Sequence, residues 1–141
     1  MIARALNIKE QCAQSNFIDV SDEAWYKDAV MGADRAGIIS GVDASRFAPE
    51  KKITRQEMAV IIVKAYSYVI GKKLSDIYTT AEVKFKDEGA VESWARSYVR
   101  LADALGLMNG NPDGTFAPGD SATRAQAAVI IKRLLEKSGK L

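Results

Sequence analysis

Histidine is absent from this chain of 141 residues, and cysteine occurs once, as Cys12. The first absence removes the commonest general base and the commonest metal ligand. The second excludes an intrachain disulfide and a thiolate metal cluster. Neither sign of charge dominates, since 20 lysines and arginines meet 18 aspartates and glutamates for a net +2. That balance gives no electrostatic case for nucleic acid or for an anionic membrane surface. No apolar run approaches the roughly 20 residues that span a bilayer, so no membrane insertion is expected. No basic-then-apolar leader with a small-residue cleavage site opens the chain. What is there is the composition of an ordinary globular protein, 48% hydrophobic and 27% charged. No cofactor or metal is implied, and an enzyme is not expected.

The chain repeats itself. A shift of 69 residues lays Trp25 on Trp94, Gly37 on Gly106, Gly41 on Gly110 and Phe47-Ala48-Pro49 on Phe116-Ala117-Pro118. It also lays Thr54-Arg55 on Thr123-Arg124 and Ala59-Val60-Ile61-Ile62 on Ala128-Val129-Ile130-Ile131. Over Trp25 to Ile62 the two copies share 15 identities in 38 positions, where average composition would give about two or three. A repeat of this period governs the fold.

Each copy reads as helix, turn-rich loop, helix. Ser21 is the expected cap of the first helix, with Asp22 and Glu23 favourable in its first turn. Trp25, Ala29, Ala33 and Ala36 mark one face, as Trp94, Tyr98, Leu101, Ala102 and Leu105 do in the second copy. Gly37 and Gly106 stand where a left-handed helix end is expected, followed by Ile38 and Leu107, suited to fold back on the preceding turn. The loops Ser40–Phe47 and Asn109–Phe116 are turn chemistry. Asn109, Asn111, Asp113 and Asp120 imitate part of a calcium loop, but the bidentate glutamate is lacking, and a tight Pro-Asp-Gly turn is the better reading.

Thr54 and Thr123 are placed to cap the second helices, with Glu57 and Gln126 at capping-box spacing and Ile53 and Met58 as a staple. Met58, Ile61, Ile62, Ala65 and Val69 form the expected core stripe, matched by Ala127, Ile130, Ile131 and Leu134. Arg55 and Arg124 are the odd members. Each opens its helix, where positive charge opposes the helix dipole. Two at equivalent places call for an anion: free helix N–H groups and a forked guanidinium would both converge on a carboxylate. The plainer alternative pairs them with acids such as Asp34 and Asp103.

Met1–Leu6 resembles Ile61–Tyr66 in character and reads as the tail helix of a preceding unit. The expected organisation is a truncated unit over 1–16, a complete one with its linker over 17–84, and a second complete one over 85–141. Phe17-Ile18-Asp19 and Phe85-Lys86-Asp87 introduce the two complete copies.

Taken together the pattern resembles the S-layer homology domain family: Phe-x-Asp, a helix with an early Trp, Gly-hydrophobic-x-x-Gly, Phe-x-Pro, then Thr-Arg-x-Glu/Gln opening an apolar helix. The resemblance implies an all-α fold of helix–loop–helix repeats packed as a pseudo-threefold, three-pronged spindle, here partial. It implies a non-catalytic module of the bacterial cell surface that binds an acidic, often pyruvylated, secondary cell-wall polysaccharide in grooves between repeats. Arg55 and Arg124 would then meet the glycan carboxylate. Trp25 and Trp94, Asp19 and Asp87, and Gly41 and Gly110 match the family's other binding positions, and Gln126 joins the set at the helix start. From the residues alone, the tryptophans read as core anchors and the two aspartates as turn-closing groups. The rival function is self-assembly or lattice contact without glycan. The missing first unit also leaves room for two chains to associate and supply its wall.

Overall fold

A computed structural model describes residues 1–8, 14–77 and 85–141, so Cys12 and parts of both linkers lie outside the described residues. Five α-helices and no strand occur among them. The chain forms two compact units, Met1–Lys51 and Lys52–Leu141.

The first unit holds α1, Ile2–Ala5, and α2, Lys27–Arg35, which pack together. Its core joins Phe17, Val20, Val30 and Met31, with Tyr26, Ile39 and Phe47 against them. Helix α2 starts later than the Ser21 cap predicts. Ser21 to Tyr26 form successive turns instead, with Ala24 N–H on the Ser21 carbonyl and Lys27 N–H on that of Ala24. The Ser21 hydroxyl accepts from Glu23 N–H at 3.3 Å, a local bond that competes with helix. Trp25 therefore precedes the helix, and it is 76% exposed rather than a core anchor. The helix ends as expected: Gly37 has φ 71°, and Gly37 and Ile38 N–H bond the Asp34 and Ala33 carbonyls. This is a Schellman closure, and it buries Ile38 completely.

The second unit holds α3, Arg55–Ile70, α4, Arg96–Ala104, and α5, Arg124–Lys137. Short 3₁₀ turns span Leu74–Asp76 and Glu88–Ala90. Helix α3 packs on both α4 and α5, burying Ala59, Ile62, Val63 and Ala65. The buried stripe is thus rotated from the expected one, with Ala59 and Val63 in place of Met58 and Ile61. Both capping boxes form: Thr54 and Thr123 accept from the N–H of Glu57 and Gln126, whose side chains reach back to the threonine N–H. The staple does not follow, because Ile53 is exposed. Its carbonyl instead accepts from Ala122 N–H, beside an antiparallel bridge between Thr54 and Ser121.

Candidate functional site

The aspartate of each Phe-x-Asp organises the loop that follows. Asp19 accepts from Phe47 and Ala48 N–H at 2.8 and 2.7 Å, and Asp87 accepts from Phe116 and Ala117 N–H at 2.8 Å each. Those bonds, the one from Phe47 foremost, hold the Asp19 carboxyl below its usual range. They support a sharp turn, for Ala48 and Ala117 adopt φ 58° and 54°, a left-handed conformation that costs an alanine energy. The glycines serve the same frame. A Cβ on Gly41 would lie 2.7 Å from the Phe17 ring, and one on Gly110 would lie 2.5 Å from that of Phe85. Each ring in turn packs on the Phe of Phe-Ala-Pro, with centroids 5.5 and 5.2 Å apart. The Pro-Asp-Gly reading holds too: Gly114 has φ 87°, and Asp113 accepts from the N–H and hydroxyl of Thr115.

This frame presents carbonyls to Arg55. Arg55 is 6% exposed, and its guanidinium lies over the Phe116 ring. Its Nε donates to the Phe116 carbonyl at 2.7 Å and Nη2 to the Asn109 carbonyl at 3.0 Å. Burial pushes its pKa down, while Asp120 and Asp87 oppose that shift; an arginine remains charged regardless. The start of α3 is equally engaged. Arg55 and Gln56 N–H bond the Asp120 and Pro118 carbonyls, so the free helix N–H groups expected for an anion at this copy are occupied. The Gln56 side chain exchanges two bonds of 3.0 Å with Glu92. Glu92 also takes the Trp94 indole N–H at 2.6 Å.

Nη1 of Arg55 has no hydrogen-bond partner among the described residues, and no fully buried side-chain nitrogen or oxygen lacks one. Arg55 helps line a groove of about 290 Å³ with Met108 and Asn109 on one side and α5 on the other. Helix α5 contributes Ala125, Gln126, Val129, Ile130 and Arg133. The Gln126 oxygen is held in its capping box, and its amide nitrogen has no hydrogen-bond partner among the described residues. The structure thus brings Arg55 and Gln126 together and adds Arg133, which the sequence reading missed. The signal was available, since Gln126, Val129, Ile130 and Arg133 share a helix face at i, i+3, i+4 and i+7.

Other candidates stand apart from this groove. Arg124 is exposed and outside its lining. Asp87 and Gly110 act behind it, through the Phe116 turn. In the first unit, Asp19 and Gly41 build the corresponding turn, and Trp25 stacks edge-on to Tyr26 beneath the Arg4 guanidinium.

A family profile for the S-layer homology domain matches residues 16–59 and 84–128. The chain belongs to the S-layer homology domain family. Amylopullulanase of Thermoanaerobacterium thermosulfurigenes is 43% identical over 141 residues, all of this chain and 7% of that protein. The surface-layer 125 kDa protein of Lysinibacillus sphaericus is 37% identical over 86% of this chain and 10% of its own length. A cellulosome-anchoring protein of Acetivibrio thermocellus is 30% identical over 97% of this chain and 30% of its own length. The chain thus spans a minor part of each relative. As an S-layer homology region it is a cell-surface anchoring module, and no helix among the described residues is long and apolar enough to cross a membrane.

Proposed function

We propose that this S-layer homology module anchors a surface protein non-covalently by binding an acidic secondary cell-wall polysaccharide in the groove beside Arg55. The observation that carries the reading is the presence of two arginines in the lining of a largely apolar groove, where Nη1 of Arg55 and the Arg133 side chain make no hydrogen bond or ion pair among the described residues. A buried, pre-oriented guanidinium costs little further ordering when it meets a carboxylate. Arg133 adds a second positive charge, and the Gln126 amide adds a neutral donor. Met108, Val129 and Ile130 suit an apolar substituent beside the acid. A pyruvyl ketal, which joins one carboxylate to one methyl group on a sugar, has both features. Trp94, 49% exposed with its N–H held by Glu92, offers a fixed face to a further sugar. Trp25 offers another in the first unit. In this reading the chain catalyses nothing; the activity named for an enzyme relative belongs to the remainder of that protein.

The reading is tested by sedimenting the chain with purified wall sacculi before and after the secondary polymer is stripped. Co-sedimentation that disappears on stripping is expected. Binding that survives it would favour assembly on protein or peptidoglycan instead.

A further inference from the structure

The peptide bond between Asn109 and Gly110 has a charged group at each end. Arg55 Nη2 donates to its oxygen at 3.0 Å. Its N–H meets no backbone carbonyl among the described residues. It faces the Asp103 carboxylate instead, where it tempers a pKa that burial raises. A cation at the oxygen stabilises the amide anion formed when a base removes the proton, and a carboxylate of raised pKa is the stronger base. Asn109 is exposed, and glycine as the next residue sets no side chain beside the nitrogen.

Neighbouring candidates lack part of this arrangement. Asn111 precedes Pro112, whose nitrogen carries no proton, and its amide is tied to the Thr115 hydroxyl. Asp113 precedes Gly114, but the Thr115 hydroxyl and N–H hold its carboxyl below the usual range, and an ionised carboxylate resists attack. In the first copy the 69-residue shift puts Ser40, which has no amide, in the place of Asn109.

We propose that Asn109 is a self-modifying site, where the Gly110 nitrogen attacks the Asn109 side-chain amide with Asp103 as base and Arg55 polarising the peptide bond. Asp103 takes the Gly110 proton, the nitrogen bonds to Asn109 Cγ, and the Cγ–Nδ2 bond breaks. The departing amide nitrogen collects that proton and leaves as ammonia. Water then opens the five-membered imide at either carbonyl, giving aspartate or isoaspartate, with nothing oxidised or reduced. Either product sets a carboxylate in the groove lining beside Arg55. In isoaspartate it is the former main-chain carbonyl, the group that Arg55 already holds. The modification stands apart from the glycan reading; its consequence, a weaker hold on the acidic polymer as the protein ages, rests on that reading.

Ageing the full chain in mildly alkaline buffer below its melting temperature tests the chemistry, with peptide mapping by mass and isoaspartate read by enzymatic methylation. Conversion is expected at Asn109 ahead of every other asparagine, and faster in the folded chain than in the same chain in guanidinium chloride. Asp103→Asn keeps the shape and removes the base, and should slow conversion at least about tenfold, a minor share of what a positioned base contributes. Asn109 that stays intact in the folded chain while it converts in denaturant overturns the inference. So does an Asp103→Asn variant, folded by circular dichroism, that ages at the parental rate. Sacculus sedimentation of Asn109→Asp reads the consequence separately, and reduced binding is expected. Undiminished binding, beside conversion of Asn109 in the parent, would count against the glycan reading and leave the modification standing.

Discussion

Arg55 and Arg124 occupy one place in the repeat and do different things. The first is buried with two nitrogens on carbonyls, while the second is exposed. The two truncations should therefore separate. Arg55→Ala leaves two carbonyls without their donors and a gap over the Phe116 ring, costing about 2–4 kcal/mol of stability. Arg124→Ala, at an exposed helix start, should change stability by less than about 0.5 kcal/mol. Chemical denaturation of both variants measures the contrast. Titration adds a third residue-scale expectation. Asp43 is held at about 2 by the Ser45 N–H first and then by Arg46. Since that lies below the ordinary value of 3.8, the stabilisation is full above about pH 4 and lost as pH falls through about 2. The difference in melting temperature between the parent and Asp43→Ala should close across that window; a difference independent of pH would contradict it.

At the scale of elements, the motif letters are mostly construction. Phe-x-Asp closes the Phe-Ala-Pro turn, and the loop glycine admits the aromatic ring. Gly110→Ala forces the Phe85 ring or the Thr115 carbonyl aside and should destabilise by about 1–3 kcal/mol, read as a lowered denaturation midpoint. The caps and helix ends were legible in the sequence because they depend on residues three to five positions apart. Thr54 with Glu57 and Gly37 with Ile38 form as their spacing predicts. The start of α2 was not legible, since Trp25 fits a helical face equally well when it lies in a turn before the helix. Nor was the destination of Arg55: its partners are backbone carbonyls more than fifty residues away, and backbone acceptors leave no mark in sequence. Arg133 was legible only through the helix face it shares with Gln126, since its counterpart by the repeat shift is Lys64 and no motif letter marks it.

For the whole molecule, the sequence repeat and the compact units divide differently. Helix α3 belongs by sequence to the first complete repeat but lies in the compact unit of the second. The reason is chemical: its Thr-Arg start is bonded to the Phe-Ala-Pro turn of the later copy. The groove exists because of that exchange, with Arg55 supplied by one repeat and Gln126 and Arg133 by the other. Arginine charge does not titrate in the accessible range and histidine is absent, so glycan affinity should be nearly flat between about pH 5 and 9. It should weaken with added salt. The most direct measurement is calorimetric titration of parent and Arg133→Ala with a pyruvylated wall-polysaccharide fragment and with the same fragment after the ketal is removed. The parent should bind the acidic fragment and lose at least about tenfold in affinity when either the ketal or the arginine is removed, with the melting temperature of the variant unchanged. Equal affinity for both fragments, or an Arg133→Ala variant that binds the acidic one as well as the parent, would contradict the account.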